Sequence, residues 1–227
     1  MDNAVLTREK LNTLHAEPKA HPNLYTVADV PVGGSAFYLV VKRLFDVVAA
    51  AVGGLVLLLP MAFLALIIRL ESPGPALYRQ ERLGKDGKPF TLYKFRSMRQ
   101  DAEADGPQWA KVRDSRCTRV GQFLRKTRLD ELPQLWNIFK GEMSFVGPRP
   151  ERACFYAKFE TYIKGFSKRM AVTPGLTGLA QVNGGYDLEP EEKIVWDMEY
   201  IRTRSIGMDI RCILRTFTLV FTHKGAR

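Results

Sequence analysis

Cysteine and histidine are scarce in this chain, three of each in 227 residues. Cys117, Cys154 and Cys212 are odd in number and share no metal-ligand spacing. That excludes a disulfide scaffold and a zinc cluster, and it reads as reduced thiols in a protein that faces the cytosol. His15, His21 and His223 lie near the chain ends and form no cluster, so a catalytic histidine has no candidate. There is no Walker-type phosphate loop, no dinucleotide fingerprint and no internal repeat. The first residues are polar and carry Asp2, Arg8, Glu9 and Lys10, which predicts no cleavable signal peptide. Acidic residues are also outnumbered: 24 against 34 basic ones, a formal net charge of +10. Such a surplus points to an anionic partner, whether nucleic acid, acidic lipid or a phosphorylated substrate. Composition does not choose among the three.

Charge is missing altogether from Val47 to Ile68, a stretch rich in Val, Leu and Ala. As a straight helix it would just cross a hydrocarbon core of about 30 Å. Pro60 lies inside it and predicts a kink or break, because its ring removes a donor and crowds the preceding turn. Both flanks are basic, with Lys42 and Arg43 before and Arg69, Arg79, Arg82, Lys85 and Lys88 after. Cationic flanks prefer the cytoplasmic side, so the segment is expected to enter and leave on one face as a re-entrant helix. A single kinked crossing is the alternative. Asp46, one turn from Lys42 and Arg43, is expected to pair with either.

Three parts follow: a polar, flexible extension over 1–38 with a short helix over Thr7 to His15, a re-entrant membrane helix over 39–70, and a cytosolic domain over 71–227. After the stiff linker Glu71-Ser72-Pro73-Gly74-Pro75, short strands are predicted at Ala76 to Gln80 and Phe90 to Phe95 around Gly84-Lys85-Asp86-Gly87. Gln100 to Arg116 reads as an exposed loop. Helical spacing runs through Phe123 to Phe139, Glu151 to Lys164, Pro190 to Thr203 and Met208 to Thr222. The last places Ile210, Ile213, Leu214, Phe217 and Phe221 on one side, suited to a lipid headgroup layer or to the protein's own core. The fold class expected is α+β, predominantly helical, and monotopic, with amphipathic interfacial helices.

Asp130 and Glu131 stand among Arg125, Lys126 and Arg128, with Pro133 placed for the first turn of a helix. Carboxylates among cations are expected to stay ionised. One can attack phosphorus while its neighbour holds a divalent cation. A helix cap would need only one of them. Arg149 lies between Pro148 and Pro150, which limit its backbone freedom and pre-position a guanidinium suited to phosphate. Lys94 and Arg96 alternate in Lys94-Phe95-Arg96-Ser97-Met98, read as strand, and again suit an anion. Pro174 to Gly178 and Gln181 to Gly185 allow close backbone approach to a ligand, or form two turns. Asp101 with Glu103 and Asp197 with Glu199 resemble spaced metal ligands but read as solvated faces.

In this order, these segments resemble the bacterial sugar transferase family, the monotopic phosphoglycosyl transferases. The match runs from Lys42-Arg43-Leu44-Phe45-Asp46 through the apolar helix with Pro60, then Gln80 to Gly84, Lys94 to Met98, Leu124 to Asn137, Lys140 to Pro150 and Pro174 to Gly184. It closes with Met208-Asp209-Ile210. Leu-Asp-Glu-Leu-Pro-Gln together with Gly-Pro-Arg-Pro is its most specific element.

The resemblance implies transfer of a sugar-1-phosphate from a UDP-sugar to polyprenyl (undecaprenyl) phosphate, with release of UMP, as the first step of surface-glycan assembly. Asp130 would be the nucleophile and Glu131 the Mg2+ ligand. Arg125 and Arg149 would contact phosphate, Lys94 would be a basic site residue and Asp209 a needed carboxylate. Arg96, Gln181 and Asn183 join the expected substrate contacts, and Pro60 marks the helix break. The implied partners are donor, acceptor and membrane lipid rather than nucleic acid. The implied location is the cytoplasmic face of the bacterial inner membrane, in a minimal form without extra N-terminal membrane helices. Thr173, Leu179 and Leu59 depart from the arginine, tryptophan and serine usual at those places. Two other readings are a non-catalytic, membrane-anchored basic binding protein and a glycosyltransferase that moves sugar alone and releases UDP.

Overall fold

The charge-free stretch folds as two helices, α1 (Ala36–Val56) and α2 (Leu58–Glu71), bent by 61° at a break on Leu57. Pro60 sits in the first turn of α2, where a missing N–H is harmless. Its ring cannot tolerate the Val56 carbonyl in helical position, so the break falls just ahead of the proline rather than on it. These statements rest on a computed structural model that describes residues 4–6, 25–104, 106, 108 and 114–222. The helix expected over Thr7 to His15, all three histidines and the side chain of Phe221 lie outside the described residues.

No single helix among the described residues is long and apolar enough to cross a bilayer; the bent pair together matches a span in length and composition only. In α1 only Tyr38, Asp46 and Ala50 are buried, and in α2 only Ile68. Leu44, Leu55, Phe63 and Leu70 face outward, and Leu59 is 79% exposed. A core helix of a water-soluble domain would hide these side chains, since burying each contributes about 1.5–3 kcal/mol. An apolar face of this extent marks an interaction surface.

The polar residues of α1 anchor it to the rest of the protein. Lys42 Nζ lies 2.7 Å from Asp209 Oδ2. Arg43 donates to the Ile138 and Phe139 carbonyls at 2.8 and 2.9 Å. Asp46 accepts the Phe145 N–H at 3.0 Å. The expected Asp46 ion pair with Lys42 or Arg43 is therefore not made. The two cations point to better acceptors across the fold, and the buried carboxylate is satisfied by a backbone donor.

Strand β1 (Ala4–Leu6) pairs in parallel with β2 (Tyr25–Val27), and β2 with β6 (Ile163–Lys164). Strands β3 (Leu77–Leu83) and β4 (Pro89–Phe95) form the expected hairpin in register Leu77↔Phe95 to Leu83↔Pro89. Strand β5 (Ser144–Val146) runs parallel to β7 (Gly175–Thr177). The helices are α3 (Arg119–Thr127), α4 (Leu135–Lys140), α5 (Ala153–Glu160), α6 (Leu179–Asn183), α7 (Pro190–Thr203) and α8 (Ile206–Thr222). The architecture is mostly helical with short strands, compatible with α+β.

The 1–38 extension is not detached along its whole length. Val27 is buried, Gly33 N–H donates to the Ile201 carbonyl at 2.9 Å, and Arg204 donates to the Gly33 carbonyl at 2.6 Å.

Helix α7 differs from its expected amphipathic reading. Ile194, Val195, Met198 and Ile201 join Phe159, Ile163 and Phe166 in the largest core. Asp197, expected in solvent, is 1% exposed on its side chain and paired to equally buried Arg169 at 2.6 Å. Burial raises the Asp197 carboxyl to about 6, against the pull of Arg169. Helix α8 does keep an outward apolar face in Ile206, Ile210, Leu214 and Phe217, while Ile213 turns to the core.

Candidate active site

The apolar run from Phe123 to Phe139 is cut into three pieces: α3, a 3-10 turn over Leu129–Gln134, and α4. The cut falls at Arg128, whose φ of 58° is left-handed. A non-glycine residue there costs about 1–2 kcal/mol. It closes α3 and swings the next turn against β4. Asp130 and Glu131 then occupy the first turn of the 3-10 segment, with Pro133 inside it.

Asp130 is 8% exposed. Burial raises its carboxyl to about 6, and the charge of Glu131 adds to the rise, while Lys94, Arg125 and Arg149 oppose it. The expectation of an ordinary ionised acid is corrected to that extent: desolvation outweighs the cations. Glu131 is also pushed up by burial, but the charge and hydrogen bond of Arg149 outweigh that and hold it below the usual range. Arg149 Nη2 pairs with Glu131 Oε1, and Nη1 lies 3.4 Å from Oε2. Lys94 is lowered to about 8 by burial, against Asp130 and with the help of Arg82, Arg149 and Arg125.

Lys94, Arg125, Arg128 and Arg149 line a cavity of about 320 Å³, together with Tyr78, Phe155, Gln181 and Lys193 among others. The two carboxylates do not line it; they lie within reach of the charge of these cations. Magnesium is commonly held by one or two carboxylates, with substrate phosphates and water completing the shell. Asp130 and Glu131 offer two adjacent carboxylates, and no group of three or more acidic, His or Cys side chains converges among the described residues. That donor set fits an ion that arrives with a diphosphate once Arg149, which engages both Glu131 oxygens here, turns to the phosphate.

The model for bacterial sugar transferases matches residues 37–223. The chain belongs to the bacterial sugar transferase family. It is 41% identical over 196 residues to the UDP-N-acetylgalactosamine-undecaprenyl-phosphate N-acetylgalactosaminephosphotransferase of Aeromonas hydrophila, covering 85% of this chain and 46% of that protein. It is 41% identical over 203 residues to the UDP-glucose:undecaprenyl-phosphate glucose-1-phosphate transferase of Escherichia coli K12, covering 87% and 43%. It is 42% identical over 194 residues to the exopolysaccharide production protein PSS of Rhizobium leguminosarum bv. phaseoli, covering 82% and 97%. The chain thus spans less than half the length of the first two relatives.

The structure gathers some expected site residues and disperses others. Lys94, Arg125, Arg149 and Gln181 share the cavity. Arg96 touches it, yet its guanidinium donates to the carbonyls of Ile68, Ser72 and Pro73 at 3.2, 2.7 and 2.5 Å and so holds the end of α2. Asp209 lies away from the cavity lining, bonded to Lys42, to Tyr38 at 3.0 Å and to Tyr200 at 2.9 Å. It joins α1 to α7 and α8. Asn183 donates to the Leu179 carbonyl and accepts from Arg215 at 3.1 Å, tying α6 to α8.

Gly147 and Gly175 are points of close approach within the chain. A Cβ on Gly147 would come 2.5 Å from the Thr173 carbonyl oxygen, and one on Gly175 would come 2.1 Å from the Gly147 nitrogen. This contact lets β7 seat the Pro148-Arg149-Pro150 loop, whose Pro148 carbonyl accepts the Gly175 N–H at 2.9 Å. Leu179 points into the main core, so its departure from tryptophan falls outside the cavity lining.

Composition did not single out Arg152, Arg169 or Lys193, which also line the cavity. They come from separate helices and turns, and only folding brings them together. Arg82, in the Gln80 to Gly84 block, pairs with Glu151 at 2.9 Å and donates to the Pro150 carbonyl at 3.1 Å, bracing the far side of the same loop.

Proposed function

We propose that this sugar transferase moves a sugar-1-phosphate from a UDP-sugar to polyprenyl (undecaprenyl) phosphate, releasing UMP, as the initiating step of exopolysaccharide, capsule, O-antigen or glycoprotein glycan assembly. The observation that carries this reading is a buried, adjacent pair of carboxylates beside Lys94, Arg125 and Arg149, which line a nucleotide-sized cavity. An Asp130 oxygen attacks the sugar-bearing phosphorus, the bond from that phosphorus to the bridging oxygen breaks, and UMP leaves with that oxygen. An oxygen of polyprenyl phosphate then attacks the same phosphorus. The aspartyl ester bond breaks, which regenerates Asp130 and yields a polyprenyl diphosphosugar. Lys94, Arg125 and Arg149 offset the phosphate charge that would otherwise repel an anionic nucleophile. Glu131 would hold a magnesium ion, which when bound would add positive charge beside the diphosphate.

The bent α1–α2 pair is read as a re-entrant segment in the cytoplasmic face of the bacterial inner membrane. Its exposed apolar side chains enter lipid, and Phe123, Trp136 and Phe217 rest at headgroup level. Confinement to that surface raises the effective concentration of the lipid acceptor.

Incubation with a panel of UDP-sugars and undecaprenyl phosphate tests the reaction: UMP accumulates, and accumulation of UDP instead rules out phosphosugar transfer. The rate of UMP release has a defined pH dependence. Asp130 must be ionised, so activity is lost as pH falls through about 6. Lys94 must be charged, so activity declines as pH rises through about 8. A flat profile across that window contradicts both assignments.

A further inference from the structure

One turn of α1 grips both segments that carry the candidate site. Arg43 holds the carbonyl end of α4, the helix that follows the Asp130 and Glu131 turn. Asp46 Oδ1 accepts the Phe145 N–H at 3.0 Å, and the rings of Phe45 and Phe145 stand 5.7 Å apart. Asp46 is buried on a helix whose adjacent Leu44 and Phe45 face outward. A carboxylate so placed needs a donor, and the one it has lies 99 positions away in the chain.

Phe145 is the middle residue of β5, a strand only three residues long. Strand β7 holds one side: Ser144 N–H donates to the Pro174 carbonyl at 2.8 Å and Gly147 N–H to the Thr177 carbonyl at 2.9 Å. Between those two bonds the Phe145 N–H turns instead to Asp46. A ladder this short leaves the strand's tilt to whatever meets it elsewhere. Arg149 follows four residues later and is flanked by Pro148 and Pro150, whose fixed φ angles carry a change of tilt onward to its guanidinium. That guanidinium meets Glu131, on the segment that Arg43 secures through α4. Asp46 itself does not line the cavity, so any effect on the reaction must pass through the strand.

Resting on the phosphosugar-transfer reading above, we propose that Asp46 is a positioning residue: through the Phe145 N–H it sets where Arg149 stands against Glu131 and the donor's phosphate. The helix read as lipid-inserted is then part of the frame of the site as well as its tether. The test measures kcat/KM for UMP release by the full chain in lipid nanodiscs. Asp46→Ala is expected to lower it by about tenfold or more, since misplacing a substrate-binding group by about 1 Å costs up to about 10²-fold. Asp46→Asn keeps an oxygen within reach of the N–H and is expected to stay within about threefold of the parent. In an Arg149→Met background, Asp46→Ala is expected to cost less than about twofold more, because no guanidinium remains to be misplaced.

Equal losses with and without Arg149 would make Asp46 a structural residue and overturn the proposal. An unchanged rate in Asp46→Ala overturns it too. A loss in Asp46→Asn as deep as in the alanine variant also does so, because it assigns the effect to charge instead of to the bond. Thermal melting accompanies each variant. If the alanine chain does not fold, Asp46→Ser, which leaves a shorter hydroxyl and room for water, is judged by the same outcomes. Absence of UMP release from the unsubstituted protein defeats the reading of the reaction itself, a result distinct from the others.

Discussion

Asp130→Asn is expected to lower UMP release by about 10³-fold or more, because the substitution removes the attacking oxygen anion and changes little else in shape. Intact-mass analysis of protein incubated with UDP-sugar alone will show a sugar-phosphate adduct on the unsubstituted chain and none on the variant. The same change should not weaken the fold. Asp130 titrates near 6 because burial penalises its charged form. A folded-state value above the ordinary carboxylate range means that ionisation at neutral pH opposes folding, and the opposition is relieved as pH falls. A neutral isostere removes the opposition outright, so the melting temperature of Asp130→Asn is expected to equal or exceed that of the parent. Loss of activity with a lowered melting temperature would assign Asp130 a structural task instead. Retention of the adduct would remove it from the chemistry.

Arg149→Met carries the second large effect, a fall in kcat/KM of about 10²–10³-fold. Arg149→Lys should recover little of it, because a point ammonium does not replace a planar fork on phosphate oxygens. A second readout separates this role from a structural one. Arg149 opposes the rise of the Asp130 carboxyl and holds Glu131 low. Without it both carboxyls shift upward, so the acid limb of the activity profile moves above its parental position near 6. An unmoved limb, or a loss smaller than tenfold, would reduce Arg149 to a brace of its loop.

Particular residues show how much was legible beforehand. Asp130, Glu131, Arg149 and the break near Pro60 were visible because each depends on near neighbours in the chain. Cations flank the carboxylates, prolines flank Arg149, and a helix accommodates proline only in its first turn. The hairpin around Gly84 to Gly87 was legible for the same reason. Arg96 and Asp209 were singled out as substrate contacts, whereas the structure engages Arg96 with helix-end carbonyls and Asp209 with Lys42 and Tyr200. A charged side chain reads the same in sequence whether it meets a ligand or a distant backbone group. Asp197 was read as part of a solvated face, yet the fold pairs it with a buried Arg169.

The amino-acid order alone determined the family, the mixed and mostly helical class, the apolar bent segment and the pair of acids beside a basic loop. These follow from local pattern: runs without charge, spacing along a helix, and prolines that restrict their neighbours. The tertiary structure decided which cations surround Asp130, that burial rather than cationic neighbours sets its titration, and which polar side chains anchor α1. It also decided that the buried Gln181 amide has no hydrogen-bond partner. Those outcomes depend on desolvation and on contacts between residues far apart in the chain, such as Lys42 with Asp209. Both quantities come into existence only when the chain closes on itself.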